Sequence, residues 1–374
     1  MSDLQTPEMC VPAPPYVRAI AAYQPGKPSS EVARELGLVE ANVIKLASNE
    51  NPLGASPRVI EAIQAALPEL ARYPDGNAFT LKEELARRHN VSRESIILGN
   101  GSNDVLELAA MAFLAPGTSA VYAQHCFVVN HLATQARGAD GIEVPARDFG
   151  HDLEAMRAAV RGDTRVIFVS NPNNPTGTWI EPSQVLAFLR QVPPGVLVVL
   201  DEAYYEYLAA ADQSASIEWI REFPNLLVTR TFSKAHGLAG LRVGYGVAHP
   251  QVADLMNRVR QPFNVNSIAQ AAAVAALSDT AFLQRSFDLN RAGMAQLTSG
   301  FDAMGLDWIP SHGNFVSVRV GDAALVFQGL MERGVIVRPI AGYGLPEHLR
   351  VTVGLEAENA RLLETLAALQ QAAA

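Results

Sequence analysis

Cysteine is nearly absent: Cys10 and Cys126 are the two in 374 residues. Two thiols so far apart give neither a disulfide framework nor a metal-ligand spacing, so no metal site is expected and a reducing compartment fits. There is no excess of positive charge either. Formal net charge is −9 and the pI near 5.4, so neither a nucleic acid nor an anionic membrane is expected as a partner. An anionic ligand would have to be gripped by a local basic cluster. Long apolar runs are missing as well. None approaches the ~18 residues of a membrane span, and the Ala-rich run 268–277 reads as a buried helix. The first residues, Met1-Ser2-Asp3-Leu4-Gln5, lack the basic-then-apolar order of a signal peptide, so a cytoplasmic location is expected. No internal repeat is visible.

What is present is a composition of 49% hydrophobic and 18% charged residues, which suits a folded protein of two or so domains. Residues 1–30 are Pro-rich and read as an extended arm with one short helix. Apolar strands are expected at 96–98, 119–122, 166–170, 196–200 and 226–230, with helices between them. Continuous apolar strands are buried on both faces, which implies a mostly parallel sheet covered by helices. After residue 261 the helices lengthen, one amphipathic helix spanning 282–304. Strands at 314–320, 335–338 and 350–353 and a closing helix at 356–371 mix elements differently, as a separate smaller domain would.

The stretch Thr231-Phe232-Ser233-Lys234-Ala235-His236-Gly237-Leu238-Ala239-Gly240-Leu241-Arg242 follows the strand at 226–230 directly. Two hydroxyls and a spaced guanidinium are groups that hold a phosphate. A lysine desolvated among other cations has its pKa lowered and becomes a nucleophilic amine. Phosphate grip plus such a lysine suits pyridoxal phosphate. A bare Ser-Lys pair after a strand would as readily be a surface turn, so the rest of the chain has to decide.

Asp201 ends the strand at 196–200, where a carboxylate is costly unless paired. A protonated pyridine nitrogen would pair it and keep the ring an electron sink; backbone amides or an arginine would satisfy it equally. Tyr204, three residues on, could reach a ring hydroxyl. Ser170-Asn171-Pro172-Asn173-Asn174-Pro175-Thr176-Gly177 reads as a rigid loop at another strand end, where α/β sheets bind ligands, and Asn174 offers an amide donor. Gly99-Asn100-Gly101-Ser102-Asn103-Asp104 is a strand-to-helix turn whose N–H groups could cradle a phosphate; as an ordinary capped turn it would need no ligand. Phe127 could stack on a planar ring or simply fill core.

In order along the chain, these motifs resemble the fold-type I pyridoxal-phosphate aminotransferases, and within them the histidinol-phosphate aminotransferases. The resemblance covers nearly the whole length and includes Tyr23-Gln24-Pro25-Gly26-Lys27-Pro28, Lys45 to Gly54, Arg72-Tyr73-Pro74-Asp75-Gly76, Asn171 to Gly177, Thr231 to Lys234 and Leu349-Arg350-Val351-Thr352-Val353-Gly354. It implies an α/β fold: an arm at 1–30, a large cofactor domain at 45–265, and a smaller α+β domain from 31–44 and 266–374. It implies Lys234 as the residue that carries pyridoxal 5'-phosphate and moves the proton, Asp201 on the pyridine nitrogen, Asn174 and Tyr204 at the ring oxygen, and Phe127 against the ring. Ser102, Asn103, Thr231, Ser233 and Arg242 would hold the phosphate, with Tyr73 reaching it from the other subunit of a homodimer. Arg350 would grip the anionic end of the substrate, Arg338 would add a second cation, and Tyr23 would close over that end from one subunit or the other.

The implied reaction exchanges an amino group between histidinol phosphate and 2-oxoglutarate, in histidine biosynthesis. An aromatic amino acid aminotransferase is the alternative, and a threonine-phosphate decarboxylase a further one. A regulator that fuses this fold to a helix-turn-helix domain would need a basic N-terminal domain that residues 1–30 do not supply. One departure bears on the substrate: Phe127-Val128-Val129-Asn130-His131 stands where relatives show an aromatic-x-x-Tyr-Pro sequence, placing Asn130 where a tyrosine is expected on the pocket wall.

Overall fold

Residues 12–22 and 26–373 are described by the structure, a computed structural model. Its centre is a seven-stranded sheet in the order Ile96–Gly99, Gly244–Ala248, Leu226–Thr231, Leu197–Asp201, Thr164–Ser170, Ser119–Ala123, Asp140–Val144. The last five run parallel, while Gly244–Ala248 is antiparallel to both its neighbours. Every residue of Leu197–Asp201 and Leu226–Thr231 is buried, because helices cover both faces. The expected strands are all found, and the sheet is mostly parallel as expected.

Two strands of this sheet were not anticipated. Asp140–Val144 is an edge strand, largely solvent-facing, and its polar sequence hides it. Gly244–Ala248 lies inside the glycine-rich stretch that follows Lys234. Its glycines are required by contact: a Cβ on Gly244 would stand 2.4 Å from the Ser102 nitrogen, and one on Gly246 would stand 2.8 Å from Val105 Cγ1. The helix Ser102–Phe113 therefore packs directly onto this strand. It begins three residues earlier than the sequence suggests, so Ser102 and Asn103 lie in its first turn, where backbone N–H groups have no intrahelical acceptor.

A second, antiparallel sheet has the order Arg338–Pro339, His348–Thr352, Phe315–Arg319, Trp308–Ile309. The strand expected at 335–338 is split. Val335–Ile336 pairs in parallel with Ile44–Lys45, and Arg338–Pro339 pairs with His348–Thr352. Leu297, Phe301, Val316, Val351 and Leu362 form the core between this sheet and the helices Thr280–Ala303 and Glu356–Ala373. Leu46 packs into that core too. The helix Ser267–Ser278, just past the expected boundary at residue 266, packs on Pro57–Ala66 and shares the core of the large sheet through Ala269, Ala272 and Ala273. It is the buried helix the Ala-rich run suggests. Among the described residues no helix is long and apolar enough to cross a membrane.

The sheet puts its functional ends together. Ser170, Asp201 and Thr229 are successive register partners at the carboxyl ends of parallel strands, the edge at which open α/β sheets bind ligands.

Candidate active site

A cavity of about 200 Å³ opens at that edge, between the large sheet and the antiparallel one. Lys234 reaches it from the loop after Leu226–Thr231. Its Nζ donates to the Ser48 carbonyl at 3.3 Å and stands 5.7 Å from the Tyr204 ring centroid. Burial, with Arg350 as the next cause, pulls the amine down from its ordinary range to about 7. Such an amine is in part unprotonated at neutral pH and can act as a nucleophile or base.

Asp201 is buried at the cavity floor and accepts from the Thr229 hydroxyl at 2.7 Å. Burial pushes its carboxyl up to about 6, against the pull of Thr229. A cation brought against it would reverse that cost. Tyr204 is also buried, which raises its phenol to about 12 and keeps it a neutral donor. Its oxygen accepts from Asn49 Nδ2 at 2.9 Å.

One end of the cavity is an anion cradle. Arg242 donates to Ser233 Oγ at 3.2 Å, to the Ala239 carbonyl at 3.1 Å and to the Asn100 carbonyl at 3.4 Å. These contacts hold Arg242 in a left-handed conformation, φ 55°, which costs a non-glycine residue about 1–3 kcal/mol. The Ser233 amide donates to Thr231 Oγ1 at 3.1 Å. Gly101 caps the helix at φ 86°, and a Cβ there would meet Arg242 Nη2 at 2.3 Å. With no side chain at 101, the helix N-terminus, the guanidinium and the hydroxyls of Thr231 and Ser233 face one space. That is the donor set of a phosphate site.

The opposite wall carries Arg338 and Arg350. Arg350 Nη1 donates to Asn174 Oδ1 at 2.6 Å and Nη2 to the Ala47 carbonyl at 2.7 Å. With its oxygen so used, the Asn174 amide has its NH₂ to offer a ligand. Phe127, at the N-cap of Val128–Ala136, completes the lining. Anion cradle, amine, floor carboxylate, flanking aromatic and phenol together fit a phosphorylated pyridine aldehyde; among the described residues no three His, Cys, Asp or Glu are placed to hold a metal.

The cavity thus brings together Lys234, Asp201, Tyr204, Ser102, Asn103, Phe127, Asn174, Thr231, Ser233, Arg242, Arg338 and Arg350. It does not include Tyr73, which is 83% exposed and stacks on Phe263 with ring centroids 4.9 Å apart. Tyr23 lies outside the described residues. Asn130 is buried in its helix and is absent from the cavity lining, so it does not form the wall that the sequence comparison suggested.

Several lining residues had no assigned role in the sequence. Asn49 ties Tyr204 to the antiparallel sheet, its backbone amide donating to Thr352 Oγ1 at 2.9 Å. It lies within Lys45 to Gly54, one of the stretches that carry the family resemblance. Ser170 presents a buried hydroxyl with no hydrogen-bond partner among the described residues. Tyr343 lines the cavity from the turn Ala341–Tyr343, where no local pattern marks it. A larger open hollow of about 940 Å³ lies between Arg147, Trp179 and Trp308 and shares none of these groups.

Comparison with known proteins agrees with this geometry. Residues 41–366 match the family described as aminotransferase class I and II. Over 354 residues the chain is 63% identical to histidinol-phosphate aminotransferase 1 of Thiobacillus denitrificans, covering 95% of this chain and 92% of that one. It is 62% identical to histidinol-phosphate aminotransferase of Methylobacillus flagellatus, covering 95% and 96%. Among solved structures, histidinol-phosphate aminotransferase from Sinorhizobium meliloti in complex with pyridoxal-5'-phosphate superposes with a TM-score of 0.88 at 30% identity, covering 96% of this chain and 98% of that one.

Proposed function

The chain belongs to the aminotransferase class I and II family, and on that footing we propose that it exchanges an amino group between L-histidinol phosphate and 2-oxoglutarate, yielding glutamate, with pyridoxal 5'-phosphate as its cofactor. The reaction is the transamination of histidine biosynthesis named for the relatives at about 60% identity. Bound pyridoxal phosphate supplies a cationic ring that draws electrons away from the reacting carbon. The chain supplies the rest. Lys234 Nζ receives the cofactor and moves the substrate's Cα proton. Asp201 would hold the ring nitrogen protonated, Asn174 and Tyr204 would steady the ring oxygen, and Phe127 would flank the ring. Ser102, Asn103, Thr231, Ser233 and Arg242 fix the phosphate. Arg350 and Arg338 orient the anionic end of the substrate.

The observation that carries this reading is the placement of Lys234 between a buried carboxylate and an anion cradle, in a cavity whose far wall bears two arginines. Borohydride reduction of the purified protein followed by peptide mapping should find the cofactor on Lys234. Lys234→Ala should bind cofactor and fail to turn over. A modified lysine elsewhere, or a protein that takes up no cofactor, would overturn the assignment.

The working unit is read as a homodimer in the cytoplasm. Tyr73 supports the dimer: it is a phosphate-site candidate, yet it is exposed and outside its own chain's cavity. The buried free thiol of Cys126 suits a reducing compartment. The division into an arm at 1–30, a large domain at 45–265 and a small domain from 31–44 and 266–374 is kept as a proposal, with Ser267–Ser278 assigned by its packing to the large domain.

A further inference from the structure

Behind Asp201 the sheet carries a second buried ionic group that the reading above does not use. Thr229 bonds Asp201 and Thr231 lines the cavity, so strand alternation sends Arg230 to the opposite face. There Arg230 donates to Glu202 Oε2 twice, from Nε at 3.1 Å and Nη2 at 2.9 Å. Both side chains are almost fully buried, at 8% and 5% exposure. The guanidinium carbon stands 3.4 Å from the Tyr205 ring centroid, which fixes its plane. Glu202 is the residue next to Asp201, and its amide donates to the Thr229 carbonyl at 2.9 Å. The ion pair therefore spans the two strands whose ends form the Asp201–Thr229 contact.

A buried carboxylate one residue from Asp201 is a liability for a site that must keep Asp201 ionised against a cation. Like charges at that range raise one another's pKa. Burial already pushes Asp201 up to about 6, and Glu202 adds to the push while Lys234 opposes it. Around Arg230 stand Glu202, Glu206, Tyr205 and Tyr245. Tyr245 meets His89 Nε2 at 2.9 Å, and the charge of Arg88 is felt by His89, Glu206 and Tyr245. Glu206 Oε2 is buried with no hydrogen-bond partner among the described residues, and burial raises its carboxyl toward the neutral form.

We infer that Arg230 and Glu202 are a positioning pair for Asp201, pinning its register to Thr229 and cancelling the neighbouring negative charge so that Asp201 alone answers the ring nitrogen. The inference rests on the reading of Asp201 as that nitrogen's partner. Neither Arg230 nor Glu202 touches the cavity; both act through Asp201.

The test uses cofactor-free full-length protein and two ligands, pyridoxal phosphate and its analogue with C–H in place of the ring nitrogen. Affinities for both are measured by fluorescence titration, and the acid limb of the kcat/KM pH profile is followed alongside. Wild type should favour the pyridine, and Asp201→Ala should lose the preference; equal preference in those two proteins would overturn the role of Asp201 itself. Given that preference, Arg230→Gln should cut it several-fold and move the acid limb up by roughly one pH unit. Glu202→Gln should move the limb down. The double variant Arg230→Gln/Glu202→Gln should regain the preference even where its melting temperature stays low. A merely structural strut would weaken both ligands alike. A wild-type preference retained in Arg230→Gln, or a double variant no better than the single, would overturn the inference. If Arg230→Gln does not fold alone, Glu202→Gln decides: an acid limb moved down supports the pair as a charge balance, and an unmoved limb refutes it.

Discussion

Arg338 and Arg350 are direct register partners across the antiparallel strands Arg338–Pro339 and His348–Thr352. Opposed like charges repel, and Arg350 is held in place by Asn174 and by the Ala47 carbonyl. Both guanidinium groups line the cavity that holds Lys234. An anion lodged between them relieves the repulsion and gains charge-assisted contacts from each. On the proposed reading this pair would take the anionic end of the substrate, and a dianion would engage both cations where a single carboxylate needs one.

The displaced amine of Lys234 has a measurable consequence for stability. In the folded, cofactor-free protein its pKa falls from 10.5 to about 7, first through burial and then through Arg350. Between those values the unfolded chain binds the extra proton, so stability rises with pH across that window. Below about pH 7 both states are protonated and the cost is present in full. Lys234→Met removes it. The variant's advantage over wild type should therefore be largest near pH 6, by at least about 1 kcal/mol, and should shrink steadily toward pH 10. Urea midpoints of the two cofactor-free proteins at several pH values check this. A difference that does not vary with pH would show that the folded site leaves the amine unshifted.

Asp201→Ala should keep the fold and lose most turnover. The carboxylate's protein partner at the floor is the Thr229 hydroxyl, so removing it leaves a small polar gap and not a broken core. With the cofactor bound, the loss is that of a buried charge-assisted contact, about 3–5 kcal/mol in kcat/KM. Steady-state kinetics beside a thermal melt separate the two effects. Near wild-type turnover would assign the carboxylate another task.

Much of this was legible because parallel strands buried on both faces must be apolar throughout, and their ends are then marked by the first polar residue. Asp201 and Ser170 each announce a strand end that way, whereas in Leu226–Thr231 the polar residues begin at Thr229, two residues short of the end. Lys234 and Arg242 were legible for the same reason, as the polar content of a small-residue loop. Gly244–Ala248 was not, because its glycines serve close packing against the helix Ser102–Phe113 and read locally as loop. Asp140–Val144 was hidden by its polar edge position. Asn49 and Tyr343 reach the site only through tertiary placement, Asn49 by bonds to Tyr204 and Thr352 from 155 and 303 residues away. No window of sequence contains such a relation. Asn130 differs in the opposite sense, since a motif position suggested the cavity wall and the residue is buried without lining the cavity.

Tyr73 should act in a neighbouring subunit. Its ring is exposed against Phe263, which is itself 45% exposed, an arrangement suited to a surface that another copy covers. Mixing inactive Lys234→Ala protein with inactive Tyr73→Ala protein, under conditions that exchange subunits, should restore activity through hybrid dimers holding one intact site. Mass spectrometry verifies the exchange. No recovery among verified hybrids would place Tyr73 in the service of its own chain.

Substrate choice should turn on Arg338. Histidinol phosphate carries a dianionic phosphate where an aromatic amino acid carries one carboxylate, and each charge-assisted contact contributes roughly 1.5–3 kcal/mol. Arg350 is anchored by Asn174 and Ala47 and remains in place when Arg338 is removed. The carboxylate of phenylalanine or tyrosine is then still met, while the phosphate loses one of its two cations. Arg338→Ala should accordingly lower kcat/KM for histidinol phosphate by about 10- to 100-fold, the equivalent of one such contact, and lower it far less for the aromatic donors. The relevant quantity is the ratio of the two losses, because a general loosening of the strand Arg338–Pro339 would depress both equally. Equal losses would make Arg338 a structural residue. A wild type that prefers the aromatic donor would move the enzyme to a different substrate within the same family.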